Sequence, residues 1–379
     1  MLTKINKDIL KIYLKHNPSL PRSIKSKISV IEDLVNFKLN LPINDLKKKK
    51  IIDLACGTGE FACYFATHGH YVYGYDFNPK SIKLAKNLSK KLKTSKNSNF
   101  IKSEFFKVKN KGDIVICTAA LHHLDDPYKG LIHLSSLVKK NGYLILSFGN
   151  DGSNLQHNLM KILSRLNGDE EKKIYDLAAY LFEEHIARCV KYGLRNKKAV
   201  IYDQFINPQH KYLNFNKIFK ILKKYKLYSS WPNLYLPRGD SPYNDSMSTL
   251  KNKNFSLSTF YWSSKKKDDA ENFSKIFYKL EKNFSFIFKE INNKKKIKDN
   301  MKNKISKKLE FLISNSNHIT HNYNSNYKRY FIEIKKLLKL IKLKKNNIKI
   351  LKKTIEKQKI LFKGTSGLGL NFLVLKKND

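Results

Sequence analysis

The stretch Asp53-Leu54-Ala55-Cys56-Gly57-Thr58-Gly59 sets a carboxylate at the end of an apolar run and two glycines directly before a segment with helical spacing that starts at Glu60. Glycine has no Cβ, so a ligand can lie against main-chain amides at the helix N-terminus. A second carboxylate, Asp76, closes the next apolar run about 20 residues on, where it can accept both hydrogens of a ribose diol. Phe77, next to it, can cover an adenine face. The spacing suits a cofactor that contains a nucleoside. Because Gly57, Gly59 and Ala62 nearly satisfy the dinucleotide fingerprint, a nicotinamide dinucleotide stays open on these residues alone. A second set of side chains suits acid–base work. His122 and His123 follow a later apolar run, and Asp203 precedes His210 by seven positions. An imidazole just past the carboxyl end of a parallel strand stands where such sheets bind ligands, and can take a proton from a hydroxyl. His122 and His123 are adjacent, so their side chains are expected to point apart. No His-x3-His or Cys-x2-Cys pair occurs, so no metal is expected. His16 and the Arg22 segment precede all of this and are expected to fold over the pocket.

The elements that must position these residues follow from the apolar pattern. Short runs at Ile51–Leu54, Tyr71–Tyr75, Asn99–Ile101, Asp113–Cys117 and Tyr143–Ser147 read as strands. They alternate with helical spacing at Glu60–Thr67, Lys80–Lys93 and Tyr128–Val138, the pattern of a parallel sheet wrapped by helices. The alternation stops after Phe148. From Ser153 to Asn196 the spacing is helical, which predicts a helical insertion. Ala199–Asp203 then reads as a strand, followed by a helix over Asn214–Tyr225 and a strand within Lys226–Leu236, a return to the sheet. Ser263–Gln358 is lysine-dense, with helical stripes at Phe273, Ile276, Phe277, Leu280 and Phe284 and at Ile334, Leu337, Leu338 and Ile341. Leu370–Leu375, after a glycine-rich stretch, reads as a last strand. The expected architecture is α/β: a doubly wound, mostly parallel seven-stranded sheet with two helical insertions. Its parts are a helical lead (1–45), a cofactor-binding core (46–150), a helical cap (151–198), a return to the sheet (199–262), a lysine-rich helical insertion (263–360) and a closing strand (361–379).

With the Asp53 to Gly59 turn and Asp76 in place, the chain resembles the class I S-adenosylmethionine (SAM)-dependent methyltransferases, whose fold is Rossmann-like. Asp113-Ile-Val-Ile-Cys-Thr-Ala-Ala-Leu-His-His-Leu-Asp-Asp-Pro127 looks like that family's fourth motif, with the Leu-His-His-Leu found in small-molecule methyltransferases. Val138-Lys-Lys-Asn-Gly-Tyr-Leu-Ile-Leu-Ser147 is similar to its fifth, with Asn141 in place of one glycine and no proline. The resemblance is strong over residues 45–150, weak over 202–232 and the final strand, and does not extend to the insertions. It implies SAM as cofactor, with Asp53 near the methionine moiety and Ala55, Cys56, Gly57 and Gly59 lining it. Asp76 and Phe77 would lie on the nucleoside, Glu104 would face the adenine amino group, and Thr118 to Leu121 would close over the cofactor. His123, His122, Asp203 and His210 are the candidates for catalysis. No Asn-Pro-Pro-Tyr type of sequence follows the fourth strand, which argues against amino groups of DNA bases as acceptors. The implied acceptor is a hydroxyl of a small molecule or of a sugar or lipid-linked precursor.

Composition bounds the alternatives. The 379 residues are 41% hydrophobic and 12% aromatic, enough for a packed core. The net charge of +44, from 75 Lys+Arg against 31 Asp+Glu, would ordinarily point to nucleic acid or an anionic membrane surface. Nearly all of the excess is lysine, amid abundant asparagine and isoleucine, as AT-rich coding produces without a polyanion partner. Lysine also lacks the planar fork with which arginine grips phosphates. An RNA-modifying enzyme and a peripheral membrane module therefore stand behind the small-molecule reading. Four cysteines are too few for a disulfide scaffold. The N-terminal residues lack the apolar run of a signal peptide, and no stretch approaches the roughly 20 apolar residues of a membrane span. A cytoplasmic location is expected.

Overall fold

Alternate residues of the central strands go to opposite faces of one sheet, and that divides the core in two. The computed structural model describes residues 4–16, 23–41, 48–149, 155–192, 195–208, 210–211, 213–231, 347–359, 361–362 and 370–378, with 303, 307, 332–334, 336–337 and 340 besides. The lead forms helices α1 (Lys4–His16) and α2 (Ile24–Asp33), the latter continued by a wider turn over Leu34–Lys38. The core then alternates β1 (Lys50–Leu54), α3 (Glu60–Thr67), β2 (Tyr71–Asp76), α4 (Pro79–Lys91), β3 (Ser98–Lys102), β4 (Gly112–Thr118), α5 (Pro127–Leu137) and β5 (Val138–Gly149). Ile51, Ile114, Ile116 and Ile145 face α2, α3 and α4, with Phe65, Ile82 and Phe100. Ile52, Leu54, Val115, Leu144 and Leu146 face the other way, with Leu131 and Leu134 of α5. Strands buried on both faces are what a parallel sheet requires.

After the cap the chain supplies α10 (Phe215–Ile221) and the strands β6 (Tyr225–Trp231) and β7 (Leu370–Lys377). The sheet has seven strands in the order β3-β2-β1-β4-β5-β7-β6. β1 to β5 pair in parallel, and β7 inserts antiparallel between β5 and β6. The expected doubly wound, mostly parallel sheet is therefore the one observed, and its last strand is the one read at Leu370–Leu375. Order reverses between β1 and β4, so the carboxyl ends of these strands open into the crevice where α/β sheets take ligands. Two loops there stop at fixed points. Asn78 accepts a hydrogen bond from the Lys80 N–H ahead of Pro79, and Asp126 accepts from the Tyr128 and Lys129 N–H groups ahead of Pro127. A capping side chain followed by proline at the first helical position is a strong helix start.

The cap comprises α6 (Leu155–Leu163), α7 (Glu171–Leu181), α8 (Glu183–Tyr192) and α9 (Lys197–Ile201). Here one expectation fails. Ala199–Asp203 is not a strand: α9 starts on an Asn196 cap and runs on through a wide turn over Tyr202–Ile206. Val200, Ile201 and Phe205 pack among Leu163, Leu177, Leu181 and Phe182, so this segment belongs to the cap and the sheet is rejoined only at α10. β-Branched residues have only a weak strand preference, and burial on a helical face outweighs it. The stripe Phe273–Phe284, the polar stretch Ser314–Ser325, and Leu338 and Ile341 lie outside the described residues. Ile334, Leu337 and α11 (Ile348–Glu356), with Leu351 and Ile355, pack into the cap cluster. The end of the lysine-rich insertion is thus a wall of the cap, rather than the detached basic appendage that its charge suggests.

Gly74 in β2 tests the packing beneath the cofactor turn. A Cβ there would come 2.6 Å from Phe100 Cδ1 and 3.0 Å from Cys56 Sγ. Gly74→Ala is expected to cost about 1–3 kcal/mol through overpacking, read as a lower urea midpoint with an unchanged slope. A midpoint equal to that of the parent would show that the site has slack.

Candidate active site

The turn after β1 is built from left-handed backbone. Ala55, Gly57 and Gly59 have φ of 61°, 54° and 84°. At Gly59 a side chain would also meet Ala85 of α4, whose Cβ would be 2.7 Å away. The bare turn lets β2 and its carboxylate come close: the Gly57 N–H donates to Asp76 Oδ2 at 2.9 Å, and the Asn78 N–H donates to Oδ1 at 2.8 Å. Burial pushes the Asp76 carboxyl up to about 6. Asp53, only 1% exposed, has an Oδ1 with no hydrogen-bond partner. Its burial, with the nearby charges of Asp76 and Glu60, pushes it up to about 8. Glu60 is buried too and takes the Thr58 hydroxyl; Lys27 of α2 supplies an opposing charge to it. A buried, unpartnered carboxylate oxygen in a cleft of clustered acids can seat a cation, and the α-ammonium and sulfonium of SAM are cations. The Phe77 N–H is a third backbone donor to Asp76, which leaves one of its four lone pairs for a ribose hydroxyl. The residues present fit the cofactor.

The other implied cofactor residues are more scattered. Phe77 and Thr118 are half-buried at the ends of β2 and β4. Cys56 lies against β2, its N–H donating to Tyr75 O at 3.0 Å. Glu104 follows β3, with its carboxylate toward Lys107 at 3.3 Å. Leu121 sends its side chain into the core against α5, so its backbone alone remains for the cleft.

The four residues expected to do chemistry converge. His122 and His123 sit in a short tight turn, Leu121–His123, past β4. Their ring centroids are 4.1 Å apart, so the expectation that adjacent histidines point apart is wrong here. His210 stacks on His122 at 5.3 Å and meets His123 edge-on at 5.0 Å. Backbone bonds bring His210 in: the Lys211 N–H donates to His122 O at 2.8 Å, and the Leu213 N–H donates to Gly149 O at 3.0 Å. Asp203 pairs with Arg195 at 2.9 Å. Burial alone would raise Asp203, yet Arg195 and then His123 hold it below the usual carboxylate range. Burial drives His122 and His210 well below the ordinary imidazole value, so both are neutral.

Sequence reasoning missed the residues that hold this cluster. Tyr13 of α1 brings its hydroxyl to 3.1 Å from His123 Nε2 and also bonds Asp203. Asp76 acts electrostatically on the same hydroxyl, and the turn of His122 and His123 leaves β4 on the carboxyl edge that carries Asp76 at the end of β2. α1 is fixed across the carboxyl edge by His16, stacked on Tyr202 at 3.6 Å, and by Lys80 Nζ donating to Leu14 O at 2.8 Å. Lys161 is buried with its amine 3.0 Å from His210 Nδ1, and His157 meets His210 edge-on at 5.0 Å. One signal was present. Arginine is rare in this chain, and three of its few arginines, Arg165, Arg188 and Arg195, fall in the first insertion. Each is bonded there, to Phe205 O, Glu184 and Asp203 respectively.

Residues 45–224 match the methyltransferase domain family. The chain thus contains a class I SAM-dependent methyltransferase domain. Its similarity to curated proteins includes the ubiquinone biosynthesis O-methyltransferase of Pelagibacter ubique, 30% identical over 131 residues, which cover 35% of this chain and 52% of that protein. The protein of the same name from Coxiella burnetii is 31% identical over 103 residues, 27% of this chain and 44% of the relative. The chain spans about half the length of the curated relatives it matches. Among solved structures, magnesium protoporphyrin IX methyltransferase from Synechocystis with bound SAH is 23% identical at a TM-score of 0.30, covering 43% of this chain and 66% of that one. Among the described residues, no helix is long and apolar enough to cross a membrane.

The acids of the cleft make a prediction for binding. With Asp53 raised to about 8, it is largely protonated at pH 7 in the free protein. A cation seated on it favours the ionised form, so SAM binding should release protons and tighten as pH rises from 6 to 8. Calorimetry in buffers of different ionisation enthalpy reads the release directly. Asp53→Asn should abolish it, whereas proton uptake by the parent would refute the assignment. Asp76→Ala should weaken SAM binding by roughly 1–3 kcal/mol through loss of charged ribose acceptors.

Proposed function

We propose that this chain transfers a methyl group from SAM to a hydroxyl of a small molecule held between the cofactor cleft and the cap. The observation that carries this is the convergence of His123, His122, His210 and Asp203 on the carboxyl edge of the sheet, the edge that also carries Asp76. A hydroxyl, unlike a thiolate or a neutral amine, must lose its proton as it attacks, and an imidazole is suited to take it. The relatives named O-methyltransferases support the same acceptor class. When bound, SAM supplies an electrophilic methyl carbon on a sulfonium.

The chain's own groups do the rest. Arg195 keeps Asp203 ionised, so the single hydrogen of the Tyr13 hydroxyl goes to Asp203. The Tyr13 oxygen then accepts the Nε2–H of His123, which puts that ring's lone pair on Nδ1. His123 is the half-buried member of the cluster, the other two lying deeper. With SAM bound, His123 Nδ1 would take the acceptor's proton as that oxygen displaces the sulfur from the methyl carbon. The imidazolium formed is opposed by the Asp203 charge. The cap buries His157 and Lys161 beside His122 and His210, and a sheltered edge of this kind favours alignment of the acceptor with the methyl carbon.

His123→Ala should lower single-turnover rates by about 10²–10⁴-fold with SAM affinity nearly unchanged. Tyr13→Phe, which removes the hydroxyl that fixes the tautomer, should give a smaller loss in turnover. A panel of phenolic and aliphatic hydroxyl acceptors, with tritiated methyl as the readout, supplies the assay. Parent rates in His123→Ala and His210→Ala alike would remove histidine from the chemistry.

A further inference from the structure

The three imidazoles also have the composition of a cation site. His122, His123 and His210 each bring one ring nitrogen to within 4.8 Å of the other two. A tetrahedral ion with bonds near 2.0–2.1 Å needs about 3.4 Å between such nitrogens, a contraction that rotation of the rings can supply. An independent observation marks the spot. His122 Nδ1 is buried without a hydrogen-bond partner, an expensive state that a metal ion would relieve. His123 is held from outside through Nε2 by the Tyr13 hydroxyl. An oxygen partner of this kind orients imidazoles at metal sites. Asp203, whose charge acts on both His122 and His123, offsets part of the positive charge an ion would bring.

We propose that His122, His123 and His210 bind one divalent cation of the zinc class, and that its occupancy blocks methyl transfer. Three neutral nitrogen ligands in a buried pocket suit zinc, cobalt(II) or nickel(II), whereas magnesium and calcium call for oxygen ligands. The second half rests on the O-methyl reading above. An ion on these lone pairs occupies the nitrogen that would otherwise receive the acceptor's proton, so metal and proton compete for one site.

The test uses the full chain, free of any affinity tag and stripped with chelator, titrated with zinc by calorimetry and with cobalt(II) by visible absorption. One ion per chain is expected, with the intense cobalt bands of a four-coordinate site. His122→Gln and His210→Gln should each weaken binding by about tenfold or more, while SAM affinity reports that both variants are folded. Absence of a stoichiometric site, or equal affinity in both folded variants, would overturn the metal site. With a hydroxyl acceptor, turnover should fall in step with zinc occupancy and return on chelation, and turnover that holds or rises would overturn the competition. The two readings fail separately. A stripped chain that methylates hydroxyls but binds no ion leaves the O-methyl reading standing, and a chain that binds the ion but methylates no hydroxyl leaves only the metal site.

Discussion

The half-buried pair of Arg195 and Asp203 is the contact on which the active edge depends. Arg195 comes just ahead of α9 and Asp203 from the wide turn after it, so the pair closes one loop of the cap on itself. Because Arg195 keeps Asp203 ionised in a place where burial alone would protonate it, a fixed negative charge stands beside two histidines. Tyr13 bonds that charge and His123 together, which ties the lead helix to the cap and to the loop after β4. Removing one partner of such a pair leaves a poorly solvated charge uncompensated, which is costlier than replacing both. The arrangement is expensive in stability and is justified by what it positions.

The cofactor side is organised by the opposite electrostatic choice. Asp53, Glu60 and Asp76 are gathered with little compensation, and burial raises all three. Like charges brought together in a low dielectric resist ionisation. A cationic ligand would supply the countercharge that these carboxylates lack. The two halves thus differ in kind: the cluster around Asp203 is neutralised from within, and the cleft around Asp53 is completed from outside.

Much of this was legible in the residues. The five parallel strands, the turn at Asp53 to Gly59 and the acid at Asp76 announce themselves because each is local, a matter of apolar period and of glycine where only glycine fits. The convergence of His123, His122, Asp203 and His210 was readable as a set of candidates, since each follows an apolar run. Their geometry was not. Residues 13, 122–123, 157–161 and 195–210 meet only through the cap, and nothing in the spacing of one segment encodes its distance to another. The run Ala199–Asp203 was misread for a related reason. Val200, Ile201 and Tyr202 look like a strand in isolation, but the Asn196 cap and the apolar cluster around α7 decide for helix.

The lysine-rich insertion shows why charge is a poor guide to architecture. By composition it reads as a solvated arm, yet the part of it next to β7 carries the apolar residues that finish the cap. Leu351, Ile355, Leu361 and Phe362 pack with Ile174, Leu181 and Phe182. Glu333, an acid in a basic segment, is buried and accepts the Lys359 and Leu361 N–H groups at 2.7 Å and 2.8 Å, so it closes the turn that leads back toward β7. Lys352 sets its amine over the ring of Tyr180 in α7, 4.3 Å from the centroid, and 3.2 Å from Glu183. A lysine charge over an aromatic face is attracted by the ring and can hold a packed surface together. The positive charge is therefore compatible with a structural role, and the cap that shelters the imidazoles is held at its far side by the segment that sequence alone would set apart from it.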